Sequence, residues 1–127
     1  MSEKNSIELE YVFKASPGIL FPCLVTASGL AEWFADHVQV QRDIYTFTWE
    51  NYSQQAQLLK IKNEIYAKFL WLDGDNQDCA FKFEISTDEM SNDTILRIND
   101  YTDDPEPKDI IQLWDKQIAK LRRAIGG

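Results

Sequence analysis

Hydrophobic and polar positions alternate with a period of two over most of this chain, and the breaks in that alternation mark its helices. Ile7, Leu9, Tyr11, Phe13 and Ala15 fall on one side while Glu8, Glu10 and Lys14 fall on the other, the pattern of a strand buried on one face. Only Val12 breaks it. Ser16-Pro17 then supplies a cap residue and a proline at the first helical position, where the missing N–H costs nothing. In the helix so opened, Ile19, Leu20, Cys23 and Leu24 have the spacing of one buried face. Pro22 lies inside it and predicts a kink or a shortening, with distortion near Gly18. Ser28 is placed to cap a second short helix that carries Leu30, Trp33 and Phe34 on one face.

From His37 to Tyr101 the pattern predicts six strands in a meander. They are separated by polar turns at Gln41-Asp43, Asn51-Ser53, Asn63-Glu64, Asp73-Asp78 and Asp88-Asn92. Tyr45, Phe47 and Trp49 alternate with threonines; Ile65, Ala67, Phe69 and Trp71 alternate with Tyr66, Lys68 and Leu70; Cys79, Phe81, Phe83 and Ile85 alternate with Lys82 and Glu84. One face of the sheet is therefore strongly aromatic. In the strand from Gln54 to Lys62 the adjacent Leu58 and Leu59 mean either that both faces are partly covered or that a bulge shifts the register. Leu96 and Ile98 point inward from the last strand. Asp103-Asp104-Pro105-Glu106-Pro107 is a breaker that also stocks a helix N-terminus with negative charge. The final helix, Lys108 to Ile125, aligns Ile110, Ile111, Trp114, Ile118, Leu121 and Ile125 in one stripe. Lys116, Lys120, Arg122 and Arg123 lie towards its end, and Gly126-Gly127 stops it. The aromatic face of the sheet is the partner large enough for that stripe.

A strand, two short helices, six antiparallel strands and a long last helix is the order of the helix-grip fold. The segment SPGILFPCLVTASGLAEWFAD resembles the signature of START-like proteins. More narrowly, the chain is similar to the branch related to the C-terminal domain of the activator of the ninety-kilodalton heat-shock chaperone's ATPase. Ser16-Pro17, Leu24, Thr26, Gly29-Leu30, Trp33-Phe34 and Asp36 carry the likeness, with the Tyr45-Thr46-Phe47 strand and the Trp114 helix. The resemblance implies an α+β helix-grip fold, one START-like domain over residues 1–127, with a curved antiparallel sheet of about seven strands around the last helix. Two departures stand out: Pro22 interrupts a helix that usually continues, and the chain has no room for the separate N-terminal domain with which that activator stimulates its chaperone.

Composition narrows the functions. At 127 residues the length suits one domain with a substantial core, and 44% hydrophobic residues exclude disorder. A formal charge of -8 disfavours nucleic acid and anionic membranes as partners. The opening MSEKNS has no apolar signal region, and no stretch approaches the length of a membrane span, so a soluble cytoplasmic protein is expected. Cys23 and Cys79 lack metal-site spacing and read as reduced core residues.

The resemblance implies where a ligand would go: between sheet and last helix, roofed by the short helices. The candidate ligand-binding residues are Trp33, Phe34, Tyr45, Phe47 and Trp49, with Phe69, Trp71, Phe81, Phe83 and Trp114. These rings either line an apolar cavity or fill the core and leave none. No catalytic or metal-binding set emerges and no cofactor is called for. His37 beside Asp36 has no nucleophile at a recognisable spacing, the acidic clusters at Asp73-Gly74-Asp75, Asp78 and Asp103-Asp104 lack calcium-loop spacing, and glycine-rich phosphate loops are absent. Three functions fit: a carrier of a small apolar or amphipathic molecule, a protein-interaction module that touches a chaperone or another protein, and a cyclase- or hydrolase-type enzyme. Sheet-mediated self-association in START-like relatives adds a homodimer to the partners to test.

Overall fold

The computed structural model describes residues 5–74, 76–102 and 107–126. Its elements are β1 (Asn5–Phe13), α1 (Pro17–Leu20), α2 (Pro22–Val25), α3 (Ala27–Leu30), β2 (His37–Gln41), β3 (Ile44–Trp49), β4 (Tyr52–Lys62), β5 (Tyr66–Trp71), β6 (Ala80–Thr87), β7 (Thr94–Thr102) and α4 (Lys108–Ile125). The strands form one antiparallel sheet in the order β1-β7-β6-β5-β4-β3-β2. The expected α+β helix-grip architecture is present. Of the expected acidic breaker only Pro107 is described; Asp103 to Glu106, residues 1–4, Asp75 and Gly127 lie outside the described residues.

Period-two patterning decides the faces. Phe47, Phe69, Phe81, Phe83, Leu96 and Ile98 are fully or almost fully buried on the inner face, and α4 lays Trp114, Ile118 and Leu121 against them. On the outer face Glu8 and Glu10 of β1 meet Asn99 and Arg97 of β7, and Arg97 Nε lies 3.1 Å from Glu10 Oε2. Between Leu58 and Lys60 the β4–β5 register shifts, so a bulge at Leu59 explains the paired leucines. Leu58 packs on the core and Leu59 is exposed. Gly126 ends α4 in the left-handed conformation at φ 77°, and its N–H donates to the Arg122 carbonyl.

The segment between β1 and β2 departs from the sequence reading. Pro22 does not kink a single helix; it begins a new one, so three single-turn helices replace the expected two. Without an N–H, Pro22 cannot donate to the Gly18 carbonyl, and the break falls at Phe21. Phe21 swings into the core, while Ile19, expected on the buried face, is 55% exposed. The cap also moves. Thr26, not Ser28, starts α3: its Oγ1 accepts from Gly29 N at 2.9 Å while donating to the Pro22 carbonyl at 2.7 Å. Ile65, expected to point inward from β5, stands in the β4–β5 turn and is exposed, because the ladder begins at Tyr66.

Candidate functional site

The turn after α3 delivers the two rings that organise the inner face. Leu30, capped from Thr26, fixes the turn through its carbonyl, which accepts from Phe34 N at 2.8 Å. Trp33 and Phe34 then drop onto the sheet. Trp33 Nε1 donates to the Cys23 carbonyl at 2.8 Å. The Phe34 carbonyl accepts from Trp49 Nε1 at 3.0 Å and from Gln117 Nε2 at 3.1 Å, tying the turn to β3 and α4 together. The Phe34 ring meets Phe47 at 4.9 Å, Trp33 at 5.4 Å, and Trp49, Phe81 and Trp114 at 5.9 Å between centroids. It is the hub of the aromatic layer.

The ten candidate rings divide into two groups. Tyr45, Phe47, Phe69 and Phe83 are sealed in the core. The Tyr45 hydroxyl donates to the Val25 carbonyl at 2.6 Å, and burial raises its pKa. Phe34, Trp49, Trp71, Phe81 and Trp114 line a slot of about 150 Å³ at one end of the sheet–helix interface. Trp33, Phe34 and Trp49 also border a groove of about 330 Å³ that continues from it between the α3 turn and α4. Slot and groove share Phe34, Trp49, Tyr52, Leu113 and Gln117. A larger hollow of about 860 Å³ runs along the β2–β3 hairpin and touches none of the ten rings.

Several residues at the slot escaped the sequence reading. Tyr52, 59% exposed, sits where a turn was expected, and Leu113, 55% exposed, lies one position off the α4 stripe. The polar rim was legible. Asp100 has the parity of Leu96 and Ile98, and Gln54 has the parity of Ala56 and Leu58, so both face inward. Asp100 Oδ2 accepts from Trp114 Nε1 at 2.9 Å, and Gln54 Nε2 donates to the Asp73 carbonyl at 2.9 Å and to Asn76 Oδ1. The slot thus has aromatic walls with amides and one carboxylate at its edge. Asp36, Glu50 and His37 are exposed, and His37 opens the edge strand β2. Cys23 and Cys79 are half-buried free thiols. Among the described residues no cluster has the makings of a metal site.

One tyrosine–carboxylate pair lies at the other side of α4. The Tyr11 hydroxyl donates to Asp115 Oδ1 at 2.7 Å. Burial, then the hydrogen bond and charge of Asp115, push its pKa far above the ordinary 10.0, with Arg122 opposing. A tyrosine so held keeps its proton, so the pair clamps β1 to α4. Because the folded pKa is raised, this contribution is complete below the unfolded value near 10 and is lost as pH climbs beyond it. Tyr11→Phe should cost about 1 kcal/mol at neutral pH. The gap between variant and parent should shrink in urea melts above about pH 10.

Residues 1–127 match the START-like superfamily domain. None of the curated proteins matches the chain in sequence. A Bacteroides fragilis protein solved by NMR in solution is 36% identical, with a TM-score of 0.67 over 95% of this chain and 90% of that one. The Aha1 dimer from Colwellia psychrerythraea is 18% identical at a TM-score of 0.78, covering 95% and 96% of the two chains. A Mesorhizobium loti protein of known crystal structure is 12% identical at 0.75, over 94% and 95%. The last two likenesses are of fold alone.

Proposed function

The chain belongs to the START-like superfamily, and on that premise we propose that it is a non-enzymatic binding protein for a small amphipathic molecule held in the slot between the sheet and α4. The supporting observation is the aromatic slot of about 150 Å³, opening into a groove whose rim leaves Tyr52 and Leu113 more than half exposed. A cavity of that size takes a benzene-sized body. The ligand therefore buries one ring or a short acyl chain, and its polar end meets the amides of Gln54, Asn76 and Gln117. Long fatty acids and sterols are too large unless the aromatic layer opens. The two free thiols fit a reducing cytoplasm, and no helix among the described residues is long and apolar enough to cross a membrane.

Native mass spectrometry of freshly purified protein tests the reading, followed by titration with indole and with hexanoate. A small adduct released on denaturation, or saturable binding that Leu113→Asp weakens at least tenfold without lowering the melting temperature, is the expected result. A clean apo mass with no saturable binding of either probe would overturn it. The filled interior favours a second reading, a module that docks on a protein such as a chaperone through the Tyr52–Leu113 rim. Stoichiometric co-elution with the purified ninety-kilodalton chaperone, abolished by Leu113→Asp, would select it. Sedimentation in the same buffers tests a homodimer, since the Colwellia relative is described as a dimer.

A further inference from the structure

The outer face of the sheet carries an arrangement that neither the slot nor the core explains. Lys60 lies opposite Lys68 in the β4–β5 ladder, and Lys68 lies opposite Lys82 in the β5–β6 ladder. Three ammonium groups of a chain with formal charge -8 thus line up across strands spaced about 4.8 Å apart. Like charges directly opposite one another destabilise a sheet. Nearby acids relieve only one of them. Lys82 Nζ stands 3.3 Å from Glu84 Oε2 and 5.1 Å from the centre of the Tyr66 ring, whereas among the described residues no carboxylate lies within ion-pair distance of Lys60 or Lys68. Elsewhere on this face Arg97 has Glu8 and Glu10 and Lys14 has Asp93, while Lys62, opposite Tyr66, extends the row with no carboxylate among the described residues within ion-pair distance.

Lys68 and Lys82 also share a hollow. A cleft of about 230 Å³ is bounded by these two lysines with Ala80, Phe81, Asn99 and Tyr101. Asn99 Nδ2 reaches Glu8 at 3.4 Å, which holds the amide in place beside Lys82, its partner across the β6–β7 ladder. Two lysines, an amide and a phenol ring thus surround one concavity, with Glu84 beside Lys82.

We propose that this cleft binds the phosphoryl group of a small phosphate monoester. Lys68 in the cleft and Lys60 at its mouth, which have no carboxylate of their own among the described residues, balance its two charges, Lys82 donates to it from beside Glu84, and the Tyr101 ring packs on the organic part. A single carboxylate would leave either Lys60 or Lys68 unmatched. The cleft is below the usual range of roughly 300–1,000 Å³ for ligand pockets, so the molecule is small. An anionic bilayer is the weaker source of the same chemistry, because the net charge opposes its approach. The site is on the opposite face of the sheet from the amphipathic slot and stands or falls independently of it.

Titration of the full chain with phenyl phosphate, inorganic phosphate and phosphatidic acid vesicles at low salt, followed by two-dimensional amide NMR, tests the proposal. Phenyl phosphate should give saturable shifts at Lys68, Lys82, Asn99 and Tyr101 with Kd on the order of 1 mM. Inorganic phosphate should bind the same place more weakly, and the double variant Lys68→Gln, Lys82→Gln should bind at least tenfold more weakly than the parent. Lys68→Gln alone breaks no ion pair among the described residues, so it should weaken binding while leaving the melting temperature unchanged or raised, which separates weakened binding from loss of fold. Shifts spread equally over Lys116, Lys120 and Arg123, unchanged binding by the double variant, or attachment to vesicles without binding of the free phosphates would each overturn it.

Discussion

Gly29→Ala should lower the stability of the protein by about 3 kcal/mol, the upper part of the range for overpacking, and drop its Tm by roughly 10 °C. In most helices the same change is favourable, because alanine loses less backbone entropy than glycine on folding. Space reverses the sign here. A Cβ at Gly29 would stand 2.6 Å from Cys23 Cα and 2.7 Å from Thr26 Oγ1, and it would press on the Pro22 carbonyl. Two of these neighbours are backbone, and the third is the cap that starts α3. None can yield without moving α3 off α2, and that displacement would carry Trp33 and Phe34 with it. Thermal melts by circular dichroism check the expectation; an unchanged or raised Tm would mean that the two turns do not cross this closely.

Phe34→Ala should be costlier still, about 3–5 kcal/mol by analogy with other buried phenylalanines. It should also change binding in the opposite direction from stability. The ring is 5% exposed and meets six other aromatic rings, so its loss removes edge-to-face and stacked contacts that neighbours on rigid strands cannot replace. It also forms part of the wall of both the slot and the groove, and its removal joins them into a longer apolar cavity. Denaturant unfolding should show the loss, and a naphthalene dye should bind the variant more tightly than the parent. Phe34→Leu, which fills most of the volume, should lie between the two. A loss below about 1 kcal/mol for Phe34→Ala would mean that the aromatic layer is not close-packed.

The parts of this fold that could be read from the chain are those that rest on alternation within a strand. Tyr45, Phe47, Phe69, Phe81 and Phe83 declare the inner face, and Trp114, Ile118 and Leu121 declare the helix that covers it. The short helices were harder, because single turns are governed by individual hydrogen bonds. Thr26 and Ser28 are both acceptable caps by residue type, and only the position of Gly29 N selects Thr26. Pro22 signals an interruption but not whether the chain bends or restarts. Half of the slot was visible as aromatic positions, and parity alone would have added Asp100 and Gln54. Tyr52 and Leu113 were hidden because they are exposed, and exposed apolar residues follow no period. The lysine row was invisible for a different reason: Lys60, Lys68 and Lys82 have no regular spacing along the chain, and only the ladders bring them together.

The bulge at Leu59 uncouples the length of β4 from its pattern. With Leu59 present, Leu58 lies opposite Phe69 and Lys60 opposite Lys68. A chain lacking that one residue would keep both pairs in an unbroken ladder. Loss of a single codon here is therefore silent for which side chains meet the core and which meet water. Inside the regular ladder of β5, β6 or β7 the same loss would exchange the two faces of everything up to the next turn. Among the strands of this meander, β4 has a place where the gene can change length while Ile61 still lies opposite Ala67 and Lys60 still belongs to the outer row.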